Sequence, residues 1–207
     1  MNKSQKEPVS TQGSSRQKKF RITNPDLNPF KNTRYESACL SQIDFDEQQA
    51  DIISQWLSNP HDFLYIYSDP GVGKTHLTAA ITNYFYDLDL PIYYVNEEKL
   101  FSELKALMNG GSVEWKMETV KDSPFLILDD IGCSRSDNEE KGMTIWQKDI
   151  LFQIIDHRYT KRLPTILVSN YALNELKDIF HERLVSRLES TENITIKLKG
   201  HDRRKSA

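Results

Sequence analysis

The feature that most constrains this chain is a short loop between an apolar run and a helical pattern, Ser68-Asp-Pro-Gly-Val-Gly-Lys-Thr75. The common phosphate-loop pattern is G-x-x-x-x-G-K-[ST], and Ser68 stands where that pattern has its first glycine. Gly71 and Gly73 can adopt the backbone angles that turn successive N–H groups towards a phosphate. Lys74 would bridge the β- and γ-phosphates, and the Thr75 hydroxyl would bind Mg²⁺. A turn that used glycine for geometry alone would not need Lys-Thr at this spacing, so the loop predicts a nucleotide site.

Strand and helix patterns alternate on both sides of this loop. Short apolar runs predict five strands, at residues 63–67, 91–95, 125–128, 165–169 and 194–198. Apolar residues at helical spacing predict helices at residues 44–57, 75–88, 97–108, 146–162 and, in two pieces, 173–188. Such alternation is typical of an α/β fold with a parallel sheet and helices on both faces.

The charges are unevenly distributed along the chain. Residues 1–36 have a balance of +5 and residues 197–207 of +4, which leaves −12 for the rest of a chain with net charge −3. This argues against a uniformly basic nucleic-acid-binding surface and permits local phosphate contacts through the ends. The basic cluster at residues 17–21 is either a solvated tail or a peptide that docks on DNA or a partner. We expect a basic, largely disordered extension (1–36), one globular domain (37–200) and a basic tail (201–207).

The composition limits the compartment. Cys39 and Cys133 are the two cysteines and have no paired spacing, which favours a reducing compartment over a disulfide scaffold. No apolar run approaches the ~18 residues of a membrane span, and the polar N-terminus lacks the apolar core of a secretory signal. We therefore expect a cytoplasmic protein without a membrane partner.

A second acidic motif follows the third predicted strand. In Phe125-Leu-Ile-Leu-Asp-Asp130, four apolar residues would bury the strand and Asp129 would emerge at its carboxyl end. Ligands collect at that edge of open α/β sheets. Asp129 would hold Mg²⁺ through water, and Asp130 would polarise the attacking water. The alternative is a buried strand that ends in a solvated acidic turn; the preceding phosphate loop favours the first interpretation.

Polar residues farther along the chain could complete this site. Asn170 follows the fourth predicted strand, where a neutral amide can orient water against the γ-phosphate. The alternative is that Asn170 caps the next helix, since Asn is a favoured N-cap. Arg183 and Arg187 are four residues apart, on one helical face. Each could reach the γ-phosphate of a neighbouring subunit, or pair on the surface with Glu182 or Glu189.

Together these residues resemble the AAA+ ATPases, and within them the bacterial helicase loaders DnaC and DnaI and the transposition helper IstB. The similar segments are Gly73–Leu77, Leu128–Gly132, Arg158-Tyr159, Pro164-Thr165, Ser169-Asn170, Arg183–Leu188 and Gly200-x-Asp202-x-Arg204. The resemblance spans roughly residues 28–204. The order and combination of the segments are more specific than any single segment.

The resemblance implies a P-loop AAA+ core with the strand order 5-1-4-3-2 and with ATP and Mg²⁺ as cofactors. Asp129 would be the Walker B metal residue, Asp130 the catalytic acid, Asn170 sensor 1, and Arg187 the finger that acts in trans. Nine residues follow the last predicted strand, which leads us to expect no C-terminal lid domain. The nucleotide-binding residues would be Gly71, Val72, Gly73, Lys74, Thr75 and His76.

The resemblance also places single-stranded DNA contacts on the helix after the second strand and on nearby loops. Four lysines and two aromatic residues are available there: Lys99, Lys105, Lys116, Lys121, Phe101 and Trp115. The alternative is a core-facing Phe101 and a solvated lysine face.

The function implied is that of an ATP-hydrolysing helicase loader, which acts on a replicative DNA helicase and single-stranded DNA. It would work as a homo-oligomer or together with a host loader. An IstB-like transposition helper would have the same ATP site, but a transposase partner and duplex DNA. A third possibility is a nucleotide-gated adaptor or inhibitor of a host loader with little turnover. A small-molecule kinase would not need Asn170 and Arg187 in these places.

Overall fold

The structure is a computed structural model and describes residues 28–133, 143–200 and Asp202. A parallel sheet lies at the centre of this part of the chain. Its strands are β1 (Phe63–Tyr67), β2 (Ile92–Asn96), β3 (Phe125–Ile131), β4 (Thr165–Ser169) and β5 (Ile194–Lys197). Their order in the sheet is β2-β3-β4-β1-β5, and all neighbouring pairs are parallel. The predicted order 5-1-4-3-2 is confirmed.

Helices connect the strands. They are α1 (Glu47–Ser58), α2 (Lys74–Asp87), α3 (Glu97–Leu107), α4 (Val113–Asp122), α5 (Ile145–Thr160) and α6 (Glu182–Leu188), with short 3₁₀ turns at Leu40–Gln42 and Glu175–Asp178. Side-chain caps fix several of the helix starts, because an oxygen that accepts from a free N–H of the first turn stabilises it. Asp46 caps α1 in this way, Asn96 caps α3 and Thr144 caps α5.

Two apolar cores lie on opposite faces of the sheet, which confirms the expected helices on both faces. Alternate residues of each strand point to opposite faces, so Leu64 and Ile66 of β1 pack with α1 and α2. Phe63 and Tyr65 of the same strand pack on the other face, with residues of α3, α4, α5 and α6. The carboxyl edge of the sheet is left for the loops.

Helix α4 is the element that our sequence analysis missed. Its signals are modest: the Ser112 hydroxyl accepts from the Trp115 N–H at 3.0 Å, and Met117 and Val120 are its buried residues. The fully buried Arg158 of α5 binds the end of this helix. Its guanidinium donates to the carbonyl oxygen of Ser123 at 2.8 Å. Burial lowers the pKa of Arg158 to about 9.

The segment from Asn28 to Ser37 packs on the core. The Asn28 side chain donates to that of Asn83 on α2 at 2.7 Å. Phe30 is 5% exposed, and its ring centroid lies 4.8 Å from that of Tyr94. Residues 28–36 of the predicted extension thus pack against the domain, because Phe30 occupies an apolar site beside α2. Residues 1–27, with the basic cluster at 17–21, lie outside the described residues.

Among the described residues, no helix combines the length and apolarity that a membrane span requires.

Candidate functional site

The carboxyl ends of β1, β3 and β4 meet at one cavity of about 630 Å³. Parallel strands with this order bring the loop after β1 next to the residues that follow β3 and β4. The cavity is lined by Arg34, Tyr35, Pro70, Gly71, Gly73, Lys74, Thr75, His76, Asp130, Cys133 and Asn170. Residues from the phosphate loop, the acidic motif and the polar strand end thus come together as the sequence suggested.

The phosphate loop folds around its own lysine. Lys74 is 7% exposed, and its Nζ donates to the carbonyl oxygens of Ser68 at 2.8 Å and Asp69 at 3.0 Å, and to the Ser68 hydroxyl at 3.2 Å. Burial lowers the pKa of Lys74, while the nearby carboxylates, Asp130 first, oppose that shift. Ser68, which replaces the usual glycine, therefore supplies the loop with an additional oxygen for the lysine.

The two loop glycines have positive φ angles, +86° at Gly71 and +122° at Gly73. Residues with a side chain rarely adopt positive φ angles, whereas glycine does so freely. At Gly71 there is also no space, because an added Cβ would lie 1.9 Å from Oδ1 of Asp202. Asp202 therefore lies directly against the phosphate loop at Gly71.

The other two loop candidates are placed differently. Val72 is 7% exposed and belongs to the core on the α1–α2 face, so its side chain anchors the loop to that core. His76 lines the cavity, and its Nε2 lies 3.0 Å from Oε1 of Gln42. Only His76 of this pair has a side chain at the cavity.

Asp129 is a buried carboxylate, 2% exposed, with a hydrogen bond at each oxygen. Oδ2 accepts from the hydroxyls of Tyr94 at 2.9 Å and Thr78 at 3.3 Å, and Oδ1 accepts from the Asp130 N–H at 2.9 Å. Burial, followed by the charge of Asp130, raises the pKa of Asp129 to about 6. Asp130 and Thr75 line the cavity, whereas Asp129 is buried at the same strand end and is not part of the lining. Carboxylate and hydroxyl oxygens in this arrangement suit a hard cation, which prefers oxygen ligands.

Asp130 reaches the cavity because β3 is irregular at this point. The pairing of β3 with β4 shifts between Leu128 and Ile131, which is the pattern of a β-bulge. Asp130 has φ +58°, a left-handed conformation that Asp tolerates better than most residues. Its Oδ2 accepts from Nδ2 of Asn96, at the end of β2, at 3.0 Å.

Asn170 lies at the tip of β4 and is half-buried. Its Nδ2 donates to Sγ of Cys133 at 2.9 Å. Burial and the charge of Asp130 raise the pKa of the Cys133 thiol to about 11, so the sulfur is a neutral acceptor at neutral pH. The expected alternative, that Asn170 caps the next helix, does not fit, because the 3₁₀ turn at Glu175–Asp178 and helix α6 begin farther along.

The two arginines lie outside this cavity. The Arg187 Nε donates to Oδ1 of Asp156 on α5 at 2.9 Å, and its guanidinium carbon lies 5.6 Å from the Tyr159 ring centroid. Arg183 is exposed and borders a different cavity, with Phe152 and His181. Within one chain, neither arginine lines the cavity of the phosphate loop. The partner of Arg187 is Asp156, not the Glu182 or Glu189 that the sequence suggested.

The candidate DNA-contact residues separate into two sets. Phe101 is 3% exposed, with its ring centroid 5.7 Å from that of Trp146, and is therefore a core residue. Lys116 is held by Glu103 and the Tyr93 hydroxyl. Lys121 donates to Gln153 at 3.2 Å. Phe101 is therefore removed from the predicted DNA-contact residues, and the Lys116 amine is already bound by Glu103 and Tyr93.

The more accessible members of that set lie on α3 and α4. Trp115 is 64% exposed. The Lys99 side chain is 68% exposed and lies 3.9 Å from Glu103. Lys105 is exposed, with Nζ 5.9 Å from the Trp146 ring centroid.

Several residues that line the cavity or bind its aspartates were not identified from the sequence. Arg34 and Tyr35 line the cavity from the segment that packs on α2. Tyr94 and Asn96 bind the two aspartates from β2. The position of Asn96 at the end of the second strand was a usable signal, because the end of β2 had to lie at the same edge as Asp129. Arg34 and Tyr35 had no comparable signal.

A phosphate loop after β1, paired acids near the carboxyl end of β3 and a polar amide after β4, on a sheet of this order, define an AAA+ ATP-binding domain. Residues 32–188 match the family described as IstB-like ATP binding protein. The chain therefore belongs to that family.

Similar proteins include the replicative helicase loader DnaI of Bacillus subtilis, 36% identical over 118 residues, or 56% of this chain and 36% of DnaI. The replicative helicase loader DnaC of Escherichia coli is 26% identical over 161 residues, or 77% of this chain and 62% of DnaC. A crystal structure of the DnaC helicase loader superposes with a TM-score of 0.65 at 27% identity, over 80% of this chain and 99% of that one. The chain thus spans less than two thirds of either of these curated relatives.

Proposed function

We propose that this protein is an ATPase of the helicase-loader type, which binds Mg-ATP and single-stranded DNA and acts on a replicative DNA helicase. The observation that carries the proposal is the convergence of Lys74, Asp130 and Asn170 on one cavity. The similarity to proteins named replicative helicase loaders supports the choice of partner.

The residues of the chain would divide the work of ATP hydrolysis. Lys74 would leave the loop oxygens for the β- and γ-phosphates, since a triphosphate is the stronger anionic partner. Asp129 and Thr75 would hold Mg²⁺, which neutralises charge on the phosphates when it is bound. Asp130 would accept the proton of the attacking water, and Asn170 would orient that water.

Arg187 requires a second molecule in this proposal. The arginine is outside the cavity of its own chain, and its side chain is one-third exposed. A neighbouring subunit, or a host loader, would bring its own phosphate loop to this face. Arg187 would then exchange Asp156 for the γ-phosphate, where a guanidinium stabilises the charge of the transition state.

Single-stranded DNA would bind at the exposed face of α3 and α4. Trp115 offers a ring on which a base can stack, and Lys99 and Lys105 offer charge to the backbone phosphates. Asn96 would connect this face with hydrolysis. Its Oδ1 accepts from the N–H groups of Glu98 and Lys99 at the start of α3, while its Nδ2 donates to Asp130.

The test is an ATPase assay of the full chain alone, with single-stranded DNA, and with the replicative helicase of the same cell. We expect turnover to rise with DNA or helicase and to be lost in Lys74→Ala. Helicase loading would be measured as unwinding of a DNA that the helicase cannot enter by itself. No turnover in any mixture, with ATP still bound, would replace this proposal with the nucleotide-gated adaptor.

A second candidate function is that of a transposition helper. The observation that favours it is the match to the IstB-like family over residues 32–188. Affinity capture from the native cell with ATP present separates the two. Recovery of a replicative helicase supports the loader, whereas recovery of a transposase, together with preference for duplex DNA, supports the helper.

A further inference from the structure

The turn at the carboxyl end of β3, residues 130–133, carries or contacts the catalytic groups proposed above. Asp130 begins it, and the Cys133 N–H donates to the Asp130 carbonyl at 3.1 Å to close it. The Cys133 sulfur accepts from the Asn170 amide. Any displacement of this turn would therefore move Asp130 and Asn170 relative to each other.

Glu97 holds this turn from the opposite side. It is the first residue of α3 and is fully buried, at 0% exposed. Its Oε2 accepts from the Gly132 N–H at 2.7 Å. Charge-assisted hydrogen bonds of this kind are shorter and stronger than neutral ones. A buried carboxylate is costly unless it is well bonded, so its presence beside the turn calls for a role.

The backbone of the turn explains why such a contact is needed. Gly132 has φ +79° and Asp130 has φ +58°, and β3 is irregular just before the turn. The pairing with β4 is interrupted across Asp129 and Asp130 and resumes only where Ile131 pairs with Ser169, so bonds from neighbouring elements help to fix this segment. Ser169 supplies one, from its hydroxyl to the Ile131 carbonyl at 2.7 Å, and Glu97 supplies another.

We propose that Glu97 is a positioning residue for ATP hydrolysis: through the Gly132 N–H it fixes the turn that sets Asp130 against Asn170. This inference rests on the proposed ATPase function and adds a residue to it. Because Glu97 belongs to α3, the same bond connects the proposed DNA face with the catalytic turn.

The test compares Glu97→Ala, Glu97→Gln and Glu98→Ala in the full chain. Glu98 is the exposed neighbour on α3 and is the matched control. Glu97→Ala should lower turnover per nucleotide-binding site on the order of a hundredfold, as misplacement by about 1 Å can do. Its affinity for a non-hydrolysable ATP analogue should change less than about twofold, whereas ADP–aluminium fluoride should bind much more weakly, because only the transition state needs the aligned turn.

Glu97→Gln should recover most of the turnover, because its amide oxygen can still accept from Gly132. Glu98→Ala should behave as wild type. If Glu97→Ala lowers only the melting temperature, while turnover per binding site and affinity for ADP–aluminium fluoride stay at wild-type values, Glu97 is merely structural and the inference is overturned.

Amide hydrogen exchange tests the inference without relying on turnover. Exchange at Gly132 should become roughly tenfold faster or more in Glu97→Ala and stay unchanged in Glu98→Ala. A wild type without turnover under any condition would refute the proposed ATPase, and exchange would then decide alone. Faster exchange would support the positioning of the turn, and unchanged exchange at Gly132 would reject it.

Discussion

Candidate catalytic residues lie at two places, the carboxyl edge of the sheet and helix α6. The two places differ in whether these residues line the cavity of the phosphate loop. At the sheet edge, Lys74, Asp130 and Asn170 line one cavity within a single chain. On α6, Arg187 is paired with Asp156 and lies outside that cavity. We therefore expect the sheet edge to bind nucleotide within a single chain, and Arg187 to contribute only when another molecule approaches. Binding and turnover should accordingly depend on different regions.

Removing Arg187 should lower ATP turnover more than any other change that leaves ATP bound. A small effect would contradict the comparison between the two regions. Arg187→Ala should lower turnover on the order of a thousandfold, as expected for an arginine finger, and should leave ATP affinity unchanged. The matched control is Asp156→Asn, which removes the ion pair but keeps the arginine, and should retain turnover. Equal loss in both variants would reduce Arg187 to a structural ion pair.

Mixing variants tests whether the finger acts in trans. Arg187→Ala mixed with Lys74→Ala should regain activity, because one interface of the mixed assembly joins an intact loop to an intact arginine. The assay is run where the wild type is active, with DNA or helicase if required. Co-assembly without activity beyond the sum of the two variants would exclude the trans arrangement for Arg187.

Replacing Asp130 should separate turnover from binding within the sheet edge itself. Asp130→Asn should lower turnover about a hundredfold, because the amide is a poor base, while Mg-ATP stays bound through Asp129. Asn also tolerates the left-handed backbone at this position, so the turn should keep its shape. A variant that hydrolyses ATP at the wild-type rate would show that Asp130 is not the base.

Removing the loop lysine should weaken the binding of ATP itself, which can be measured without turnover. Lys74→Ala loses charge-assisted contacts of roughly 1.5–3 kcal/mol each, which corresponds to an affinity loss of about ten- to a hundredfold. Titration with a fluorescent ATP analogue measures it. Because Arg187→Ala should bind the same analogue normally, the pair of titrations directly compares the two regions.

The smallest effect is expected at the DNA face, which belongs to neither region. Trp115→Ala should weaken single-stranded DNA binding roughly five- to tenfold, the low end for loss of a stacking ring. Charge reversal at Lys99 and Lys105 should also flatten the salt dependence, because fewer counterions are released. Tyr84→Ala, an exposed aromatic on α2, is the control. Unchanged affinity in the α3–α4 variants would move the DNA site elsewhere, such as to the basic ends.

Elements that depend on local residue patterns were predicted correctly, whereas elements that depend on distant contacts were not. Strands β1 and β4 have the predicted bounds, because short apolar runs between turn residues are local signals. Helix α4 was missed, since its buried face is narrow and half of its residues are charged. Strand β3 continues to Ile131 instead of ending at Leu128, because the irregularity at Asp129 and Asp130 hides the alternation.

The candidate site was predictable where the residues follow strand ends. Lys74, Asp130 and Asn170 meet because parallel strands bring their carboxyl ends to one edge. Phe101 was uncertain because its helical spacing suits either a core face or a DNA face, and packing against Trp146 decides for the core. Glu97 gave no signal at all, since one more glutamate at the start of a helix looks like an ordinary first-turn acid.

The sequence by itself determined the phosphate loop, the alternation of strands and helices, and the residues at the sheet edge, because each depends on neighbours within a few positions. Only the tertiary structure decided that Phe30 and Tyr35 join the domain, that Arg187 pairs with Asp156, and that Glu97 reaches Gly132. These contacts join segments about thirty or more residues apart, and their geometry follows from how the helices pack on the sheet, which no local pattern of residues records.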